Sequence, residues 1–160
     1  MKIRHHLFES FVIVALLFFG ATRSCFAQCS IIAEAATESH DGIVHIPPNG
    51  TAAFSLSTTN TGQSCNITVT SFSIEIISGS IVTLDDINST LCQTNPQNAT
   101  CFNPALPAAT VSLPFSAGEQ PTFSVFLQAL GAVPPQSEVC VRFNDQTGEG
   151  SVLCVPLTSS

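Results

Sequence analysis

Residues 139–157 read VCVRFNDQTGEGSVLCVPL. Val139, Val141 and Phe143 alternate with Cys140 and Arg142, and Leu153, Val155 and Leu157 repeat the pattern beyond the loop. A period of two is that of a strand with one face buried. The segment Asn144 to Gly150 (NDQTGEG) supplies the turn residues between the two runs. If the loop centres on Thr147, Phe143 faces Ser151 and Cys140 faces Cys154. The apolar side chains then share one face, and the two cysteines lie side by side on the other, within bridging distance. The stretch therefore predicts a β-hairpin closed by a Cys140–Cys154 disulfide.

Upstream, the same alternation recurs between turn signals. Val44 and Ile46 alternate with Ile43 and His45 before Pro47-Pro48-Asn49-Gly50. Ala52, Phe54 and Leu56 alternate with Ala53, Ser55 and Ser57, and Asn60-Thr61-Gly62 ends that run. Between Cys65 and Ile77, Ile67 and Val69 share one parity while Phe72, Ile74 and Ile76 share the other. That switch predicts a bulge or bend near Ser71, because a slip of one residue turns every side chain to the opposite face. Ile81, Val82 and Leu84 form a short strand. Val111, Leu113 and Phe115, then Phe123, Val125 and Leu127, continue the series. Seven or eight short strands with regular turns imply an all-β, antiparallel sandwich.

One stretch resists this reading. Residues 85–107 are polar and carry Cys92, Cys101, Pro96, Pro104 and Pro107. They are expected to form a long loop, too long for an ordinary connection and of the kind that is functional or poorly ordered. Cys92 and Cys101 stand nine positions apart there and are expected to pair locally, which leaves Cys29 to pair with Cys65.

The N-terminus indicates the compartment. Lys2, Arg4, His5 and His6 precede the apolar run Phe11–Gly20, and Ser24-Cys25-Phe26-Ala27 offers small residues for cleavage. This is the layout of a helical signal peptide over residues 1–27, cut before Gln28. The apolar run is half the roughly 20 residues that a spanning helix needs. No second run of spanning length follows. The expected mature chain, residues 28–160, suits a single secreted domain. It keeps six of the seven cysteines, an even number that fits a disulfide framework outside the cell.

Cleavage also changes the charge. Ten acidic residues remain against one cation, Arg142, for a formal charge of −9. Nucleic-acid binding needs a cluster of cations to displace counterions, and one arginine makes no cluster. Four glycosylation triplets begin at Asn49, Asn66, Asn88 and Asn98. Asp85, Asp86 and Asn88 are oxygen donors in one turn and form a weak calcium candidate, as do Asp145 and Glu149 in another, although neither segment matches an EF-hand. His40, Asp41 and His45 offer the nearest thing to a metal motif. In an extended segment, however, positions 40 and 45 face opposite ways, so no metal site is expected. No Gly-x-Ser-x-Gly occurs and the mature chain has no lysine, so no activated nucleophile is expected. No catalytic residue, cofactor or enzymatic activity is expected.

The order of these segments resembles a known family. Phe54-Ser55-Leu56, Asn60-Thr61-Gly62 and Ile67-Thr68-Val69-Thr70 follow the "f-x-l-x-N-T-G-x-x-x-x-i-t" run of immunoglobulin-like domains of the PapD-like, major-sperm-protein and bacterial cell-adhesion-related type. Ala117-Gly118 with Phe123-Ser124-Val125, and Val141-Arg142-Phe143-Asn144-Asp145, are similar to their later strands. The resemblance spans roughly residues 42–157. It implies an antiparallel immunoglobulin-like sandwich, here disulfide-stapled, and roles in adhesion, assembly or scaffolding; it carries over no active site. The expected function is a secreted, non-enzymatic structural or interaction module of an extracellular matrix or cell surface, with an extracellular protein or matrix partner. The alternative is a soluble binding protein or effector that recognises its partner through residues 85–107, and an enzyme is a distant third.

Overall fold

The structure is a computed structural model that describes residues 29–148 and 150–160. The expected signal peptide and its cleavage site, and Glu149, lie outside the described residues. The strands are β1 (Ile31–Thr37), β2 (Val44–Ile46), β3 (Thr51–Asn60), β4 (Cys65–Ile77), β5 (Ser80–Thr83), β6 (Ile87–Thr94), β7 (Cys101–Ala108), β8 (Thr110–Phe115), β9 (Thr122–Ala129), β10 (Ser137–Asp145) and β11 (Gly150–Ser159). One sheet runs β1-β3-β9-β6-β7. The other runs β2-β11-β10-β4-β5, with β8 also paired to β4. All pairings are antiparallel except β2 with β11. The chain is thus an all-β, immunoglobulin-like sandwich.

Alternation along the strands builds the core. Phe54 and Leu56 of β3, Phe123, Val125 and Leu127 of β9, and Val139, Val141 and Phe143 of β10 all point between the sheets and are buried. Burying each such side chain contributes roughly 1.5–3 kcal/mol. Phe123 and Phe143 meet edge to face across the two sheets, with ring centroids 6.2 Å apart. At one end of the sandwich Asn60 is fully buried yet hydrogen-bonded. Its Nδ2 donates to the Gln63 and Phe115 carbonyls (2.8 and 3.1 Å), and its Oδ1 accepts from the Gly62 and Ser30 N–H groups. The Asn-Thr-Gly signal is therefore a tie between β3, β8 and the N-terminal end of β1, as well as a turn.

The structure departs from the sequence expectations in three respects. First, residues 85–107 are not a long loop: they hold β6 and β7, joined by a short turn. Pro104 and Pro107 read as strand breakers, but β7 is an edge strand, where a proline interrupts no ladder on the open side. Of the inward row of β6, only Ile87 and Leu91 are apolar, with Ser89 between them, so alternation is faint. Secondly, the described residues form eleven strands where seven or eight were expected, because β1, β6 and β7 went unread, whereas the short β2 and β5 match expected runs. Thirdly, β4 contains no bulge near Ser71. Its register with β10 runs without a shift from Asp145↔Ile67 to Ser137↔Glu75. The inward row simply continues as Ser71 and Ser73, whose hydroxyls are buried without a hydrogen-bond partner. Phe72, Ile74 and Ile76 lie on the outer face.

Candidate functional site

Among the described residues three disulfides form: Cys29–Cys65, Cys92–Cys101 and Cys140–Cys154. The first ties the lead-in to β1 to the start of β4, beside the Asn60 tie. The third crosses β10 and β11 at the register pair Cys140↔Cys154, with Phe143 opposite Ser151. Both of its cysteines are on the outer face of the sheet. The second closes the β6–β7 hairpin.

That hairpin carries an irregular, partly apolar surface. Its register slips twice, between Leu91 and Gln93 and again before Thr94. Ala108 opposes Leu91 while Asn103 opposes Gln93, so residues 104–107 bulge from the ladder after the cis Asn103–Pro104 bond. Phe102 and Leu106 are 54% and 80% exposed on this edge. Sequence reasoning missed both residues: two apolar side chains among prolines and polar residues carry no periodicity. The available signal was that such residues have no inward place to go in an edge strand. Beyond Thr94 the β6–β7 turn lies over the outer face of the five-stranded sheet. There Pro96 and Ala99 line a groove of about 220 Å³ with Ala36, Ser57 and Thr122. A wider groove on the same face, about 540 Å³, has Phe126, Ala53, Thr90 and Asn88 among its lining residues.

The histidine cluster is local and exposed. Asp41 Oδ2 meets His45 Nε2 at 2.8 Å, while Asp41 Oδ1 accepts from the Ser39 hydroxyl and from the Ile43 N–H. The His45 hydrogen bond above all, then those of Ser39 and Ile43, hold the Asp41 carboxyl well below the usual carboxylate range. A nucleophilic relay requires histidine between serine and carboxylate. Here the carboxylate stands between them, so the Ser39 hydroxyl bonds the carboxylate and not the imidazole. His40 sits apart, in the turn, with φ of 59°.

Asp85 and Asp86 are exposed in the bend before β6, and Asn88 is exposed on β6 itself. Asp145 closes the β10–β11 turn, its Oδ1 accepting from the Thr147 N–H and hydroxyl. Among the described residues, Glu138, Cys140 and Cys154 bring three possible metal ligands together. Both sulfurs are consumed by the disulfide, which removes the thiolates a metal would need. All four triplet asparagines are exposed: Asn49 in the β2–β3 turn, Asn66 on β4, Asn88 on β6, and Asn98 in the β6–β7 turn. The Asn98 side chain is held within its turn, its Oδ1 accepting from the Thr100 N–H (3.1 Å) and hydroxyl (2.7 Å).

No protein-family description and no curated protein matches the chain. Solved structures similar to it include a Niemann-Pick type C2 protein from the Japanese carpenter ant, at 14% identity and a TM-score of 0.48, over 85% of this chain and 96% of that one. A PapD-like domain of a human protein is similar at 11% identity and a TM-score of 0.37, over 80% and 83% of the two chains. A family 123 glycoside hydrolase from Clostridium perfringens is similar at 9% identity and a TM-score of 0.46; 81% of this chain matches 28% of that one, so the chain spans about a quarter of its length. These are likenesses in the course of the chain alone.

Proposed function

We propose that the protein is a secreted, non-enzymatic structural or interaction module of an extracellular matrix or cell surface. The observation that supports this most is the set of three disulfides within one small β domain, each stapling a different part of the sandwich. Such crosslinks persist in oxidising compartments. Asn49, Asn66, Asn88 and Asn98 are the glycan acceptors on this reading, each standing on the surface. The test is localisation of the native protein together with its intact mass. The expected species is extracellular, begins at Gln28, carries three disulfides, and loses mass on removal of N-linked glycans. An intracellular chain with its first 27 residues intact and its thiols free contradicts the proposal.

A second reading, a soluble binding protein, is favoured by Phe102 and Leu106, which stand exposed on the β7 edge. With prolines at 104 and 107 the edge is a poor template for an added strand, so recognition there uses side chains. Replacing both residues with serine abolishes partner capture from the extracellular fraction if this surface binds, and leaves capture unchanged if it does not.

A further inference from the structure

The outer face of the six-stranded sheet is unusually apolar and carries the one cation among the described residues. Phe72, Cys140 and Cys154 lie in one row across β4, β10 and β11. Thr70, Arg142 and Val152 form the next row on one side; Ile74, Glu138 and Pro156 form the next on the other. Val152 is 49% exposed, and Ile76 and Ile81 extend the apolar area toward β5, with Ile81 71% exposed. The Arg142 guanidinium lies over the Phe72 ring, 5.0 Å from its centroid. No carboxylate pairs with it among the described residues. A cation held over an aromatic ring is pre-positioned for a negative partner.

We infer that this face packs against the same face of a second copy of the chain. Arg142 and Glu138 lie on one strand, two residues either side of Cys140, hence ~7 Å from it in opposite directions. An isologous contact sets residue i against j and j against i. With the two-fold axis in the interface, perpendicular to β10 and passing over Cys140, Arg142 lies against Glu138 of the second copy, and the reverse. The same axis sets Val152 against Pro156 of the second copy, apolar on apolar, and Phe72 against its own counterpart. The roughly 30° angle between packed sheets moves the charged groups only a few ångström, because both sit close to the axis. The triplet at Asn66 shares this face, but six residues from Phe72 along β4, about 20 Å away, so a glycan there is clear of the contact. This association goes beyond the proposed module function: it uses a different surface from the β7 edge and needs no other partner.

Sedimentation equilibrium of the purified mature protein tests it. A reversible dimer is expected. Arg142→Glu and Glu138→Arg each place like charges together and weaken the dimer by at least about tenfold. The double variant Arg142→Glu/Glu138→Arg restores the pairing and brings the dissociation constant back to within about threefold of the parent. Val152→Ser, which removes apolar contact and leaves both charges in place, also weakens the dimer. Thermal melts of the monomeric variants confirm that each is folded. A parent protein that stays monomeric up to millimolar concentration overturns the proposal. So does a dimer that the single charge variants leave unchanged, or one that the double variant fails to restore.

Discussion

The hairpins β10–β11 and β6–β7 each carry a disulfide, yet they differ in nearly everything their place in a sheet dictates. β10 is paired on both sides, to β11 and to β4, through ladders with no register break. β7 has a neighbour on one side only, and its register slips twice. A strand hydrogen-bonded on both edges must keep its pleat, so its side chains must alternate strictly between core and surface. A strand paired on one edge can carry prolines, bulge outward and leave apolar side chains in solvent. Phe143 and Phe102 illustrate the consequence: one ring is fully buried, the other half-exposed.

The largest expected effect separates those two aromatic residues. Phe143→Ala removes a fully buried ring packed against Phe123 and is expected to cost about 3–5 kcal/mol in urea unfolding. Phe102→Ala and Leu106→Ala are expected to stay within about 0.5 kcal/mol of the parent. A cost of 2 kcal/mol or more at Leu106 would mean that the bulge is part of the core, and the contrast between the hairpins would fail.

A smaller effect comes from the disulfides. Loop-closure entropy alone assigns about 3 kcal/mol to Cys140–Cys154, whose separation is 14 residues, and about 2.6 kcal/mol to Cys92–Cys101, whose separation is nine. Replacing either pair with alanine is therefore expected to lower global stability by nearly the same amount. The local response should differ. Without Cys140–Cys154, the two flanking ladders still hold β10, and its amides keep their rank among the slowest to exchange. Without Cys92–Cys101, β7 loses its best anchor, and the amides of residues 101–108 exchange at rates set by local opening. Equal protection in both variants would show that the edge hairpin is held by its backbone pairing instead.

The same asymmetry explains what could be read from the amino-acid sequence. The β10–β11 hairpin was legible to the residue pair, because a ladder on both sides imposes the alternation of Val139, Val141 and Phe143, and the turn centred on Thr147 then fixes which residues oppose. β6 and β7 were not legible. Cys92, in its disulfide, and Thr94, beside the β6–β7 turn, are buried on the outer face, so buried positions occur on both faces and the period of two dissolves. In β4 the alternation misled: Phe72, Ile74 and Ile76 mimic a change of face, whereas the strand runs straight and its outer face is itself apolar. The exposed Phe102 and Leu106 escaped notice for a related reason, since surface hydrophobics on an edge obey no period. Nor could spacing reveal the geometry around Asp41. Sequence separation set His40 and His45 on opposite faces, but not that the carboxylate would join Ser39 to His45.

The finest test lies at a third edge. β2 has three residues and pairs only with the end of β11, Val44 opposite Leu157 and Ile46 opposite Ser159. The turn before it is clipped by Asp41, bonded to His45, Ser39 and the Ile43 N–H. Because folding depresses the Asp41 pKa, its contribution is present above the ordinary carboxylate pKa and is lost as the pH falls through the folded value. Asp41→Asn should therefore differ from the parent at pH 7 and converge with it only in strong acid, well below the ordinary carboxylate range near pH 4. The group is exposed and screened by solvent, so the difference should be small in global unfolding and clearest in amide exchange at Val44 and Ile46. If β2 were held as β10 is, by ladders on both sides, those amides would be indifferent to Asp41. Faster exchange at neutral pH, absent in acid, would place β2 with β7 as an edge secured by local side-chain chemistry. Exchange that is unchanged, or raised equally at every pH, would show that the charge on Asp41 secures nothing.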